Sequence, residues 1–153
     1  MRQVVVLRGI SGAGKTTYGR HLALEANLSG RTAEIVSADH HFERSGFYVF
    51  DPTDLDEAHA SCFRRFLEAT ARGTNLVIVD NTNIRLLEAS PYMLGARTAG
   101  YEAKVVEIQC PTETAARRNV HKVPSYKVAK MANTLQSEPL PPWWESEVIP
   151  FRG

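Results

Sequence analysis

The run Val4-Val5-Val6-Leu7 leads directly into Gly9-Ile10-Ser11-Gly12-Ala13-Gly14-Lys15-Thr16, and no other segment constrains the chain so tightly. Glycines at these intervals make a turn whose backbone N–H groups face inward, and such a turn works only between a buried strand and a helix N-terminus. The helix dipole and the lysine both favour a bound polyanion there. Lys15 is placed to reach the β- and γ-phosphates of a nucleoside triphosphate, and the Thr16 hydroxyl to take one Mg²⁺ position. Gly9, Ser11, Gly12, Ala13, Gly14 and the following Thr17 are expected to surround the phosphates.

A chain of 153 residues is long enough for one domain, expected to span 1–153. Its 43% hydrophobic and 23% charged residues suit an ordinary water-exposed globule. Lys plus Arg number 18 against 17 Asp plus Glu, so a net charge of +1 carries no global nucleic-acid signature, and polyanion binding must come from a local patch. Cys62 and Cys110 are far apart and read as reduced core residues. No apolar run approaches a membrane span, and the loop at Gly9 lies too early for a signal peptide, so a cytoplasmic location is expected.

Val4–Leu7 predicts a first strand and Lys15–Ala26 a first helix. Ala33–Val36 predicts a second strand ending at Ser37-Ala38-Asp39, then a loop from His40 to Asp54 with turn signals at Ser45-Gly46 and Asp51-Pro52. A second helix should start near Asp54, capped by that side chain with Glu57 three residues on. Its apolar stripe is Leu55, Ala58, Cys62, Phe63, Phe66 and Leu67, closed by Gly73. Leu76–Val79 makes a third strand running into Asp80-Asn81-Thr82-Asn83, and a helix over Arg85–Ala99 is disturbed at Pro91. Lys104–Ile108 is the fourth strand. Helices at Thr112–Asn119 and from Pro124 to about Met131 form a helical lid over about 112–131. The Pro-rich tail over about 138–153 is expected to close the core with Trp143 and Trp144. Continuous apolar strands alternating with helices predict an α/β three-layer sandwich, with a central parallel sheet of four to five strands.

In such sheets ligands lie at the carboxyl ends of the strands, where the glycine loop, Asp39 and Asp80–Asn83 converge. Asp39 is placed to orient an attacking hydroxyl and accept its proton. Asp80, after four apolar residues, suits the Mg²⁺ shell or a hydrogen bond to Thr16. Asn81, Thr82 and Asn83 suit orientation of a substrate or of Asp39. Arg117, Arg118, His121, Lys122, Lys127 and Lys130 form a basic stretch with no acid between them, suited to a lid whose arginines stabilise a transferring phosphoryl group. His40 and His41 lack further residues at metal-ligand spacing.

Together these residues resemble the polynucleotide 5′-kinases and the predicted AAA-type ATP-binding kinases related to the kinase domain of phage polynucleotide kinase. The resemblance rests on Gly9–Thr16, Asp39, Asp80-Asn81-Thr82-Asn83, and Arg117-Arg118-Asn119 followed by His121 and Val123-Pro124. Phe47–Pro52 through Glu57-Ala58-His59 looks like animal and viral relatives of that family. It implies a P-loop NTPase/kinase fold with ATP and Mg²⁺ at Lys15 and Thr16, and Asp39 as general base. It further implies Arg117 or Arg118 on the nucleotide, Lys122 or Arg117 near the transferred phosphate, and a DNA or RNA 5′-hydroxyl as acceptor. Phage-type enzymes hold the substrate's 3′-phosphate with an arginine where this chain has Phe42, so Arg44, the nearest arginine, joins Asn81, Asn83 and Lys122 as a substrate-binding candidate. Those enzymes also carry an Asp at the place of Asn81. The nucleotide half of the pattern is therefore intact and the acceptor half altered. A small-molecule acceptor, as in the similar zeta-toxin kinases, and a non-catalytic ATP-binding switch are the alternatives.

Overall fold

The computed structural model describes residues 1–44 and 46–153, with only the backbone of Arg44, so the substrate role expected of that arginine lies outside the described side chains. In chain order the elements are β1 (Gln3–Arg8), α1 (Lys15–Leu28), β2 (Ala33–Val36), β3 (Glu43–Arg44), β4 (Phe47–Tyr48), α2 (Leu55–Ala71) and β5 (Leu76–Asp80). They continue with α3 (Leu86–Thr98), β6 (Glu102–Ile108), α4 (Thr112–Arg118), α5 (Ser125–Ser137) and β7 (Ser146–Ile149). Five strands pair in parallel in the order β2-β5-β1-β6-β7.

The central strands are apolar throughout because both faces of the sheet are covered. Val4, Val6, Val77, Val79 and Val105 join one core with Ala58, Cys62 and Phe66 of α2 and Ala89, Tyr92, Met93 and Ala96 of α3. Their neighbours Val5, Leu7, Ile78 and Val106 face the opposite way, into a second core with Ala26, Ala115 and Val128 of α1, α4 and α5. Each fully buried Val or Leu contributes about 1.5–3 kcal/mol relative to exposure. Helix α1 leaves β1 on one face and α3 leaves β5 on the other, so the chain parts between the carboxyl ends of these two adjacent strands. That crevice is where the functional residues gather.

Four local expectations change. The tail holds a strand, β7, whose Ser-Glu-Val-Ile sequence carries no burial pattern because it is an exposed edge. Of the two tryptophans only Trp144 packs against the core, while Trp143 is 75% exposed. The stretch after Asp39 holds a 3₁₀ turn over Ala38–Phe42, antiparallel pairing of β3 with β4 and a second 3₁₀ turn over Pro52–Asp54, while the turn expected at Ser45 lies outside the described residues. Asp54 does not cap α2, since its carboxylate bonds His41, and the buried stripe of α2 runs Ala58, Cys62, Phe66 and Ala69 with Leu55 and Leu67 exposed. Among the described residues no helix is long and apolar enough to cross a membrane.

Candidate active site

The carboxyl ends of β1, β2 and β5 and the start of α1 enclose a cleft of about 340 Å³. Ser11, Gly12, Gly14, Lys15, Thr16 and Thr17 line it from below, and Asp39, Asp80 and Asn81 from the side. At Gly12 the backbone takes φ +85°, and a Cβ would lie 2.0 Å from the Ala115 carbonyl oxygen of α4. A side chain there is excluded twice, by the left-handed backbone and by the helix pressed against it. Gly12→Ala is therefore expected to lower nucleotide affinity by at least tenfold, roughly the effect of 1.4 kcal/mol. Calorimetric titration with a non-hydrolysable nucleotide checks this, and unchanged affinity would show that α4 yields freely. Gly9 serves differently: its N–H bonds the Thr82 carbonyl at 3.0 Å, and a Cβ would come within 2.8 Å of the Ile108 oxygen. Gly9 thus brings β1 against its neighbours, and its N–H is not offered to a phosphate. The Ala13 N–H likewise closes the loop internally on Ile10 O at 3.1 Å.

Lys15 is buried, and its ammonium donates to Ile10 O at 2.8 Å. Burial lowers its pKa to about 8, with the charges of Asp80 and Asp39 opposing that shift. The Thr16 hydroxyl donates to Asp80 Oδ2 at 2.7 Å. A hydroxyl beside a carboxylate is an all-oxygen set suited to a hard divalent cation.

Asp39 is delivered by the end of β2, where Ser37 Oγ caps the 3₁₀ turn by accepting the Asp39 N–H at 3.1 Å. Asn81 supports the same turn from β5, its Oδ1 accepting the Ala38 N–H at 2.8 Å and its Nδ2 facing Cys62 Sγ. Its amide is engaged in holding Asp39's turn, although it lines the cleft. Asn83 is only 1% exposed; its Nδ2 donates to Leu7 O at 2.7 Å and its backbone oxygen accepts from Arg8. Burial and these bonds put Asn83 out of reach of a substrate, correcting the sequence expectation.

The lid region divides similarly. Arg118 lines the cleft above the loop, with one guanidinium nitrogen 3.2 Å from where a Gly14 Cβ would stand. Arg117 and Lys122 are exposed and do not line the cleft, so the roles expected of them near the phosphates are not placed there. Phe42, standing where an acceptor-binding arginine was expected by resemblance, is buried against Tyr48 and Phe50.

Sequence reasoning gave no site role to Arg20, His40, Glu43 or Tyr48, and named Asn119 and His121 only within the lid stretch and the family pattern. All but Tyr48 line the cleft. The Tyr48 hydroxyl donates to Asp39 Oδ1 at 3.0 Å, and His121 Nε2 stands 3.4 Å from Asp39 Oδ2. Asn119 folds the loop that presents His121, accepting Val123 N–H at 2.7 Å and donating to Val123 O at 2.9 Å. The signal was the Asn-Val-His-Lys-Val-Pro spacing, whose side-chain-to-backbone bonds no periodicity reveals. Arg65 of α2 adds bonds to Ser37 O and His40 Nδ1 beside Asp39.

A family profile described as an AAA domain matches residues 4–138. Human NEDD4-binding protein 2 is 36% identical over 138 residues, covering 87% of this chain and 8% of that protein. A putative bifunctional polynucleotide kinase/RNA ligase of Autographa californica nuclear polyhedrosis virus is 28% identical over 124 residues, covering 77% of this chain and 18% of the viral protein. The chain thus spans a small part of these curated relatives. In fold it is similar to a chain of the Pnkp1/Rnl/Hen1 RNA repair complex, with TM-score 0.69 and 16% identity over 89% of this chain and 44% of that one. It is also similar to a gluconokinase from Sinorhizobium meliloti 1021, with TM-score 0.64 and 17% identity over 98% of this chain and 84% of that one.

Proposed function

The chain belongs to the AAA-domain family and has the P-loop kinase fold, and on that premise we propose that it moves the γ-phosphate of ATP to a hydroxyl, the 5′-hydroxyl of a polynucleotide. One observation carries the reading: Asp39 lines the same cleft as the loop that would hold the triphosphate. Lys15 and Arg118 bring positive charge to the transferring group, and Asp39 orients the acceptor oxygen and takes its proton. Thr16 and Asp80 would hold Mg²⁺, which neutralises phosphate charge when bound. Similarity to the viral polynucleotide kinase/RNA ligase supports a nucleic-acid end as acceptor.

A small-molecule acceptor is favoured by a different observation. Glu43 joins Asp39 and Asp80 on the cleft wall, giving it three carboxylates, and the whole chain carries only +1. Incubation with γ-labelled ATP, Mg²⁺ and 5′-hydroxyl DNA or RNA separates the two readings. Labelled oligonucleotide, absent with Lys15→Met, is the expected result. ATP consumption without labelled oligonucleotide would transfer the reading to small acceptors.

The buried amine gives this reading a pH signature. The ammonium form of Lys15 binds phosphate, and in the free protein it is lost as pH rises through about 8. A bound triphosphate favours that charged form, so nucleotide binding above pH 8 should take up a proton and weaken by up to about tenfold per pH unit. Titration calorimetry at pH 8.5 in two buffers of different ionisation heat should report the uptake, and Lys15→Met should abolish it. Buffer-independent heats in the native protein would contradict the assignment.

A further inference from the structure

We propose that Tyr48 and His121 form a latch that positions the Asp39 carboxylate and makes its orientation depend on the helical cover formed by α4, α5 and the loop between them; the inference rests on Asp39 acting as the base. Two regions distant in sequence meet here, the Asp39 turn with the hairpin that follows it, and the loop between α4 and α5. Tyr48 comes from the β3–β4 hairpin, paired across it with Glu43, and its hydroxyl donates to Asp39 Oδ1 at 3.0 Å. His121 comes from the loop between α4 and α5 and approaches Asp39 Oδ2 to 3.4 Å. The two rings stack on each other, with centroids 4.0 Å apart and planes inclined by 30°.

A lone carboxylate at the end of a short turn rotates about its side-chain torsion. Here Oδ1 accepts from the Tyr48 hydroxyl, Oδ2 lies beside His121 in an ion-pair contact, and the two rings are packed face to face, so rotation of Asp39 is opposed from both sides. Each carboxylate oxygen can accept more than one hydrogen bond, which leaves capacity for an acceptor hydroxyl.

The His121 loop is itself built to hold a shape. Asn119 brackets it through Val123, and Lys122 adopts φ +55°, a left-handed conformation uncommon for a lysine. This loop follows directly on Arg118, which lies over the phosphate loop. Lifting the cover therefore withdraws a cation from the nucleotide side, and removes an ion-pair contact and a stacking partner from the Asp39 side. The carboxylate is held from both sides only while the nucleotide is covered.

Tyr48 and His121 act through Asp39 and are positioning residues. Tyr48→Phe keeps the ring and loses the hydroxyl donor, His121→Phe keeps a ring and loses the polar contact with Oδ2, and His121→Gln keeps a polar group there and loses the ring. Tyr48→Phe should lower kcat about tenfold with the KM for ATP unchanged, the effect expected of one lost hydrogen bond to a charged group, and His121→Phe should lower it by a smaller factor, also with that KM unchanged. His121→Gln should recover part of that loss. In an Asp39→Asn background neither phenylalanine substitution should lower kcat further, a dependence that a merely structural role would not produce.

Wild-type kcat in both phenylalanine variants would overturn the latch, as would an equal loss in the Asp39→Asn background. If the native protein labels no polynucleotide, the acceptor reading falls by itself, and the same variants are compared on Asp39-dependent release of phosphate from ATP. Native protein that turns over no ATP with any acceptor, water included, would remove both the kinase reading and the latch.

Discussion

Arg8→Ala is expected to lower the free energy of unfolding by about 3–5 kcal/mol, a large share of what a domain of this size possesses. Arg8 ends β1, immediately before the phosphate loop, and is 1% exposed. Its Nε donates to Asn83 O at 3.0 Å, and its Nη2 to Ile84 O at 2.6 Å and Glu138 O at 2.7 Å. Glu107 of β6 approaches at 3.5 Å. Burial lowers the guanidinium pKa, and the charges of Glu107, Glu138 and Glu88 oppose that shift. Truncation removes donors from three carbonyls at once, and each buried polar group left unpaired costs about 1–3 kcal/mol. Arg8→Lys should recover little, because one ammonium cannot reproduce the planar fork. Urea titration checks the pair: a lower midpoint at unchanged slope is expected. A loss under about 1 kcal/mol would mean that water replaces the guanidinium.

That clamp also bears on the site. Asn83, whose carbonyl Arg8 holds, donates to Leu7 O, and Gly9 N–H bonds Thr82 O. The phosphate loop and the end of β5 are thus fastened together beneath the cleft. In the sequence, the Asp-Asn-Thr-Asn run after a strand reads as a candidate Mg²⁺ or Thr16 partner followed by three residues that could orient a substrate or Asp39. The structure divides it: Asp80 meets Thr16, Asn81 holds the Asp39 turn, Thr82 and Asn83 fasten the strand ends, and only the first three line the cleft.

The parallel α/β sandwich was legible because its evidence is periodic and local. Apolar runs at Val4–Leu7 and Leu76–Val79 and the glycine loop between strand and helix report on structure within a few residues. The edge strand β7 was not, since half-exposed Ser-Glu-Val-Ile makes no burial demand that a sequence pattern could register. Asp39, Lys15, Thr16 and Asp80 could be placed because strand ends in such a sheet share one edge. Arg8, Tyr48 and His121 depend on contacts between segments 75 or more residues apart or on a hairpin too short to show alternation. An arginine after a buried strand looks like the start of a loop until its partners are known. Arg117 and Lys122 lie away from the cleft for the opposite reason: a charge run shows where cations are, and the turn at Asn119–Val123 decides which of them face the cleft.

Asp39→Asn is expected to lower kcat by about 10²–10⁴-fold, the usual contribution of a positioned general base, with nucleotide affinity nearly unchanged. The substitution is close to isosteric, and an amide oxygen can still accept from the Tyr48 hydroxyl. The amide then stands beside His121 Nε2 without the carboxylate charge, so the latch is weakened together with the base. The phosphate loop keeps its geometry because Ser37 and Asn81 hold the turn through the backbone N–H groups of Asp39 and Ala38. One electrostatic effect must be kept apart from the chemistry. The Asp39 charge helps to hold a proton on Lys15, so the variant's amine should lose its charge more readily. Measured near pH 7, below the value of about 8 for Lys15, that secondary effect is small. Above pH 8 it would raise KM and imitate a binding defect. Lys15→Met should differ in kind, losing affinity and turnover together at every pH. Transient kinetics with ATP near saturation separate the cases. A variant retaining more than about a tenth of the native rate would mean that the acceptor proton leaves by a route that does not involve Asp39.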